Sequence, residues 1–156
     1  MPNALPKPRH YAHPTQMIID GEIRDASWTL VFEFVSDPGP KQAIPLERWL
    51  ALRRAGHPLD SVGIIIEEAD NITPLKNHLD RIPLLALNIH SFTDGRSLSH
   101  AYRIRRLWRY SGTLLAFGDI RRDQLPYMSV CGVDAFYLRY DQDIEAAVTA
   151  CGYQLG

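Results

Sequence analysis

Four short apolar runs, separated by segments with helical signals, constrain the fold of this chain more than any other feature. The runs are residues 62–66, 84–89, 113–117 and 133–138. Strands that are apolar throughout are typical of a parallel sheet that is covered on both faces. The pattern therefore predicts an α/β domain built from alternating βα units.

The segments around these runs supply the other predicted elements. Asp20-Gly21 between apolar residues predicts a hairpin, and residues 28–35 predict a further strand, so a small antiparallel element precedes the βα units. A helix over residues 45–55 begins at a proline and ends before Gly56. Further helices are predicted over residues 73–79, 97–110, 123–131 and 142–151. Asp123 is expected to cap the helix over residues 123–131, and Asp141 the helix over residues 142–151.

The length of 156 residues predicts one domain, residues 16–156, after a flexible arm of residues 1–15 that contains four prolines. We expect an open, doubly wound and mostly parallel sheet, and a half-barrel of βα units is the alternative. An open sheet leaves its edges exposed, which makes a homo-oligomer an open option without fixing its symmetry.

Composition excludes several classes of function. The 17 basic and 18 acidic residues lack the broad positive surface of a nucleic-acid or anionic-membrane binder. Charge is uneven, because residues 91–140 contain eight Arg, four Asp and no Lys or Glu. The two isolated cysteines and the absence of a long apolar stretch predict a cytoplasmic protein without a membrane segment.

Three polar clusters follow three of the apolar runs, at residues 67–70, 92–96 and 118–124. Because right-handed crossovers bring the carboxyl ends of parallel strands to one edge, all three clusters are expected at the edge where α/β folds build sites. Glu67, Glu68 and Asp70 supply oxygen atoms, but no spacing specifies a metal, and none is predicted.

The second and third clusters combine carboxylates with guanidinium groups. Arg96 is expected beside the start of a helix, where the helix dipole and the guanidinium fork both favour a small oxyanion. Asp119 and Arg122 are expected at the same rim as Asp94. These charges form either a ligand site, with Asp94 or Asp119 as candidate catalytic acid or base, or internal ion pairs that bind nothing.

Two further sets of residues have a structural and a functional interpretation. Arg103, Arg106 and Arg109 recur every three residues. They form either a solvated helix face or a contact surface for an acidic partner protein. His90 lies at the end of a predicted strand, where a histidine either stabilises the fold through hydrogen bonds or acts as a general acid or base. The sequence lacks the glycine-rich dinucleotide motif, the phosphate loop, the nucleophile elbow and any cluster-ligating cysteine set.

Three segments resemble the bacterial domain of unknown function 934 family, and the likeness extends from about residue 28 onward. They are Phe92-Thr93-Asp94-Gly95-Arg96, Gly118-Asp119-Ile120-Arg121-Arg122-Asp123-Gln124-Leu125 and Gly132-Val133-Asp134-Ala135-Phe136. The resemblance supports a ligand-binding set and some neighbours: Thr93, Asp94, Gly95, Arg96, Asp119, Arg122 and Gln124, with Ser99, Gly118, Asp123 and Asp134. The chain departs from the family pattern at Ser97, Leu98 and Arg121, and its His90 lies where the family has no histidine.

The resemblance implies a function linked to the haemoprotein subunit of assimilatory sulfite reductase, whose gene commonly adjoins those of family members. Family members are often described as oxidoreductases. The preferred hypothesis is an accessory protein that binds an oxyanion or docks on the haemoprotein through the carboxyl edge of the sheet. The alternative is a small oxidoreductase or sulfur-metabolism enzyme. No cofactor of its own is predicted, and that enzyme would borrow a flavin or a haem.

Overall fold

A computed structural model describes residues 13–91, 95–139 and 141–155 of the chain. Most of the predicted arm, and the candidate residues Thr93 and Asp94, lie outside this part. The strands are β1 (Gln16–Ile19), β2 (Glu22–Asp25), β3 (Thr29–Leu30), β4 (Gln42–Pro45), β5 (Gly63–Ile66), β6 (Leu84–Ile89), β7 (Thr113–Gly118) and β8 (Ala135–Phe136). The α-helices are α1 (Leu46–Arg54), α2 (Arg96–Tyr102), α3 (Leu125–Val130) and α4 (Ile144–Leu155).

The eight strands form one mixed sheet in the order β2-β1-β8-β7-β6-β5-β4-β3. Strands β3 to β8 are parallel, and β1 pairs antiparallel with β2 and β8. The predicted hairpin is confirmed, with Asp20 and Gly21 both at positive φ, as a two-residue turn of this kind requires. The predicted α/β class and the mostly parallel sheet with an antiparallel N-terminal part are confirmed.

The preference for a doubly wound sheet is wrong, and the alternative half-barrel is correct. A doubly wound sheet reverses its strand order at a switch point, whereas β3 to β8 follow one another in sequence order. Since right-handed crossovers that all advance in one direction place their helices on one face, the sheet curls with the helices outside.

The connection between the two edge strands confirms how strongly the sheet curls. Only residues 26–28 separate β2 from β3, which are the two outermost strands. The four Cα–Cα steps from Asp25, at the end of β2, to Thr29, at the start of β3, span at most about 15 Å. A flat sheet of eight strands would separate its edges by about 34 Å, from a strand spacing of about 4.8 Å. The two edges must therefore approach each other.

The core has two layers, one on each face of the sheet. The outer layer packs the helices on alternate strand residues such as Ile64, Leu87 and Ala116. In the described part of the chain the inner layer contains no helix residue. Its largest side chains are aromatic and come from the strands and the segments beside them: Trp28, Phe32, Phe117 and Tyr137. Phe32 and Phe117 meet edge to face, with ring centroids 5.9 Å apart.

Several predicted element boundaries are corrected by the structure. The strand predicted over residues 28–35 shortens to β3, and the helix predicted over 73–79 is two 3₁₀ turns, Thr73–Leu75 and Leu79–Arg81. The helix predicted over residues 123–131 begins as a 3₁₀ turn, Arg122–Gln124, and continues as α3. Asp143, and not Asp141, caps α4, because its Oδ1 accepts the N–H groups of residues 145 and 146 at 3.0 and 3.3 Å.

The helix predicted over residues 97–110 differs most from the structure. Helix α2 ends at Tyr102 and continues as a π-helical segment, Arg103–Leu107. The wider π turn changes which side chains face the sheet. The helical spacing of Leu98, Ala101, Ile104, Leu107 and Trp108 predicts that these residues form one buried stripe. Ile104 is fully buried, in agreement with that pattern, but Leu107 is 62% exposed. No helix in the described part of the chain combines the length and the apolarity needed to cross a membrane.

Candidate functional site

The carboxyl ends of β5, β6 and β7 meet at one edge of the sheet. The strands are parallel and in register, with Ile66 beside Leu87 and Ile89 beside Gly118. The N–H of Asp119 donates to the Ile89 carbonyl at 2.7 Å, which joins the ends of β6 and β7 directly. The described residues of the three polar clusters therefore lie at a common edge.

Glu67 is the centre of a hydrogen-bonded group at this edge. Its two carboxylate oxygens accept from Asn88 Nδ2 at 3.2 and 3.1 Å, and Oε1 also bonds His90 Nε2 at 2.7 Å. The N–H of Glu67 donates to Asp70 Oδ2 at 2.8 Å. Asn88 is 1% exposed, and its Oδ1 has no hydrogen-bond partner in the described part of the chain. The Glu67 carboxylate is thus held in place by the buried amide of Asn88 on one side and by the half-exposed imidazole of His90 on the other.

Glu68 connects the ends of two strands to the start of α2. Its side chain is 8% exposed, and Oε1 accepts the N–H groups of His90 at 2.9 Å and Ser91 at 3.4 Å. Oε2 lies 3.7 Å from a guanidinium nitrogen of Arg96. Because a buried carboxylate is tolerated only when its oxygens are bonded or paired, these partners explain why Glu68 can lie inside the fold.

The inner side of α2 supports this edge through two buried polar residues. Ser97 Oγ donates to the Asn88 carbonyl at 3.2 Å, and His100 Nε2 bonds the Glu68 carbonyl at 3.0 Å. Burial lowers the pKa of His100, so its imidazole is held neutral and acts as a donor to that carbonyl. Burial also raises the pKa of Asp70 nearby. Sequence reasoning passed over His100, because it occupies an ordinary position inside a predicted helix.

Asp119 forms an ion pair with Arg139, which follows β8. Arg139 also donates through Nε to Asp141 Oδ1 at 2.9 Å, and this guanidinium lowers the pKa of Asp141 to about 2. Asp119 is thus paired with a guanidinium group outside the predicted set of rim charges, a partner that sequence reasoning missed. Position alone could have identified Arg139, since it follows the fourth apolar run as Asp119 follows the third.

The loop between β7 and α3 places the other predicted residues of the third cluster. Arg122 is exposed, and its N–H donates to Gln142 Oε1 at 3.2 Å. Gln124 Oε1 accepts the N–H of Arg121 at 3.0 Å, so this side chain helps to cap the 3₁₀ turn. Gly95 is exposed at the start of α2.

The three arginines of the predicted partner face do not lie on one regular helix face. Arg103 stacks over the Trp108 ring, 5.0 Å from its centroid, and Arg106 donates to the Val130 carbonyl at 3.0 Å. Arg109 follows the π-helical segment with φ of 56°. The end of the helix at Leu107 breaks the three-residue repeat that the sequence suggested.

The edge can offer cationic and hydrogen-bonding groups to a ligand or a partner. The side chains of Arg96 and His90 are 58% and 50% exposed, and Arg122 is also exposed. Most carboxylates of the edge already have a partner in the fold. Among the described residues, no group of three His, Cys, Asp or Glu side chains is placed to hold a metal ion.

Comparison with protein-family models identifies a family that this chain matches. The family model described as "Bacterial protein of unknown function (DUF934)" matches residues 63–153, from β5 into α4. The matched region contains every described residue of the charged edge. No curated protein and no solved structure matches the chain.

Proposed function

Since the chain belongs to the DUF934 family of bacterial proteins of unknown function, we propose that it is an accessory protein of assimilatory sulfite reduction. It binds a small oxyanion, or docks on the sulfite reductase haemoprotein, through the carboxyl edge of its half-barrel. The link to sulfite reduction rests on the resemblance of the three sequence segments given above. The binding role rests on the edge itself.

The observation that carries the proposal is the pairing pattern of the edge. Asp119 is engaged by Arg139, Glu67 by Asn88 and His90, and Glu68 by two backbone N–H groups. These bonds hold the carboxylates in place. The Arg96 side chain pairs with Glu68 at 3.7 Å and is still 58% exposed, and Arg122 is exposed as well, so both guanidinium groups lie at the surface of the edge. A guanidinium has five donors in a fork that suits oxyanions, and a fixed frame lowers the entropy cost of binding.

Oxyanion binding is tested by thermal unfolding of the purified protein with sulfite, sulfate and phosphate. A ligand at tenfold its Kd stabilises the fold by about 1.4 kcal/mol, which raises Tm by about 3–6 °C for a domain of this size. We expect Arg96→Ala to abolish the shift and Arg122→Ala to reduce it. Arg54→Ala, at the exposed far end of α1, is the control and should keep the shift.

A full response from both edge variants would contradict the proposed anion site. Docking has a separate test, which is co-purification with the sulfite reductase haemoprotein at low ionic strength. Charge reversal by Arg96→Glu with Arg122→Glu should abolish the complex, and Arg54→Glu should not. Absence of any complex with the wild-type chain under these conditions would contradict docking.

A second candidate function is a small oxidoreductase or sulfur-metabolism enzyme that borrows its redox cofactor. The observation in its favour is the His90–Glu67 hydrogen bond of 2.7 Å at the mouth of the half-barrel, with Asn88 orienting the carboxylate. A carboxylate that orients an imidazole is a common arrangement for general acid–base catalysis. Asp119 is less available for that role, because Arg139 already occupies one of its oxygens.

The enzyme hypothesis is tested by the visible spectrum of the purified protein and by thermal shift with flavin nucleotides and adenylyl sulfate. A bound chromophore, or a flavin shift that His90→Gln and Glu67→Gln both remove, would favour the enzyme. A shift with simple oxyanions alone would favour the accessory role.

A further inference from the structure

A groove between α2 and α3 lies on the outer, helical side of the molecule and reaches the carboxyl edge only at Gly95, which lines one part of it. We call it the α2–α3 groove; it has a volume of about 640 Å³, and its lining includes Leu98, Ser99, Tyr102, Arg103, Tyr127 and Cys131. A volume of this order is typical of clefts that accept a ligand or a few side chains of a partner.

Large apolar side chains are exposed on and beside the groove. Tyr102 is 52% exposed, Tyr127 57%, Leu107 62% and Val130 67%. These four are most of the large exposed apolar residues in the described part of the chain. Tyr102 and Tyr127 line the groove, whereas Leu107, in the π-helical segment, and Val130, in α3, lie outside its lining. Single exposed apolar residues are ordinary, whereas a cluster of this kind marks an interaction surface.

The π-helical segment is the reason that Leu107 belongs to this surface. An α-helix continued to Tyr110 would turn Leu107 toward the sheet, whereas the π turn turns it toward solvent. The Arg106 guanidinium bonds the Val130 carbonyl at 3.0 Å, which ties the end of α3 to this segment. The groove is therefore built into the fold, and π turns occur frequently at functional sites.

Charge identifies the kind of partner. Residues 95–107 and 124–132, which contain the groove lining, hold four Arg and no Asp or Glu, and one of the four, Arg103, is in the lining itself. Arg105 is turned inward to the carbonyls of Tyr110, Gly112 and Gly132, and Arg96 is paired with Glu68, so Arg103 and Arg106 supply the positive charge at the groove. A two-fold contact between copies of this chain would oppose these like charges, which disfavours a second copy as the occupant.

We propose that the α2–α3 groove binds an acidic amphipathic segment of a partner protein, with apolar side chains against Tyr102 and Tyr127 and carboxylates against Arg103 and Arg106. Tyrosine and arginine are the residue types that most often contribute the main binding energy at interfaces. An amphipathic helix laid in a groove is a common way to present such a pattern. This inference does not depend on the proposed function of the carboxyl edge.

The experiment measures fluorescence anisotropy of labelled peptides against the full chain. The probe is a helical peptide of about 16 residues, long enough for four turns, with Leu on one face and Glu on the other. A second peptide replaces each Glu by Lys, and a third replaces each Leu by Ser. We expect saturable binding of the Glu/Leu peptide alone, weakening as salt screens the charges.

Groove variants locate the binding. Tyr127→Ser and Arg103→Glu should each weaken binding of the Glu/Leu peptide by about tenfold, the size expected of an interface hot spot. Arg103→Lys should recover part of the affinity. Phe34→Ser and Arg54→Glu change an exposed aromatic residue and an exposed arginine outside the groove and should leave the affinity unchanged.

Several outcomes would overturn the proposal. These are equal binding of the Glu and Lys peptides, no saturable binding up to about 1 mM, or an affinity that the groove variants leave unchanged. Sedimentation equilibrium that shows a dimer broken by Tyr127→Ser would identify a second copy as the occupant. Groove-dependent binding to vesicles of anionic lipid would identify a membrane surface instead.

Discussion

At the scale of single residues, Gly118 allows the ends of β6 and β7 to join. Its φ is +102°, and a Cβ placed there would lie 2.5 Å from the Ile89 carbonyl oxygen and 2.9 Å from Asn88 Oδ1. That close approach lets the Asp119 N–H reach the same carbonyl. A residue with a side chain would strain the backbone and push apart the two strand ends that position the edge.

We therefore predict that Gly118→Ala lowers the free energy of unfolding by about 2–4 kcal/mol, from backbone strain and overlap together. Gly95→Ala is the matched control, since a Cβ there meets nothing within 4 Å and φ is −74°. It should change stability by less than about 0.5 kcal/mol. Urea denaturation of both variants measures the difference, and equal stabilities would contradict the assigned role of Gly118.

His100 makes stability depend on pH. Burial lowers its pKa in the folded state, while the unfolded residue titrates near the ordinary value of 6.5. Below about pH 6.5 the unfolded state therefore binds more protons, and stability falls as pH drops from 6.5 toward the lowered pKa. The pKa of His78 is also lowered and has the same sign, whereas the raised pKa of Asp70 opposes the loss at more acidic pH.

We predict that His100→Gln reduces the slope of unfolding free energy against pH between about 6.5 and 5, where one proton contributes at most about 1.4 kcal/mol per unit. His57→Gln, at an exposed position, should keep the wild-type slope. NMR titration of the His100 ring gives an independent measurement. A ring that titrates at or above 6.5 in the folded protein would contradict the prediction.

At the scale of elements, the α2 region shows how tertiary packing overrides a local pattern. Leu98, Ala101, Ile104, Leu107 and Trp108 have the spacing of one buried helix stripe. The structure buries Ala101 and Ile104 completely and exposes most of Leu107. The Tyr110 hydroxyl donates to the buried Ile82 carbonyl at 2.7 Å, which fixes the chain beyond the helix. The π-helical segment, which contains Ile104, lies between the buried Ala101 on one side and Tyr110 on the other, and its wider turn allows both to keep their positions.

This arrangement predicts opposite costs for two substitutions in one segment. Ile104→Ala should destabilise the protein by about 2–4 kcal/mol, because it leaves a cavity in the core. Leu107→Lys should change stability by less than about 0.5 kcal/mol, because the side chain already faces solvent. Denaturant unfolding of both variants measures the two changes in the free energy of unfolding. A large loss for Leu107→Lys would indicate a regular α-helix through this segment.

At the scale of the whole molecule, the segment that connects the two edge strands is bonded at Trp28 to the residue that follows the interior strand β8. The Tyr137 hydroxyl accepts from the Trp28 N–H at 3.0 Å and donates to its carbonyl at 2.6 Å. Tyr137 directly follows β8, and Trp28 lies between β2 and β3. One phenol group therefore joins segments 109 residues apart across the inside of the half-barrel.

We predict that Tyr137→Phe lowers the free energy of unfolding by about 1–3 kcal/mol, mainly because the buried Trp28 N–H loses its partner. The Trp28 carbonyl keeps a contact with His13 Nε2 at 3.1 Å. Hydrogen exchange of the Trp28 amide should also become faster. Tyr102→Phe, which removes an exposed hydroxyl, should leave both quantities unchanged. Unaltered exchange in Tyr137→Phe would contradict this role of the phenol group.

Much of the fold could be predicted from the sequence because its signals are local. Apolar runs buried on both faces predict parallel strands, Asp20-Gly21 predicts the hairpin, and a proline followed by a helical stripe predicts α1. Chain direction then places the residues after β5, β6 and β7 at one edge. The DUF934 resemblance likewise depends on short segments that can be read along the chain.

The tertiary structure alone decided the strand order, the curl and the partners at the edge. A strand that is apolar on both faces has the same pattern whichever strands flank it, so its sequence does not separate a doubly wound sheet from a half-barrel. The pairing of Glu67 with Asn88 and of Asp119 with Arg139 joins residues about 20 positions apart. Such pairs form because the folded backbone holds two strand ends side by side, and that proximity has no counterpart in the local pattern of residues.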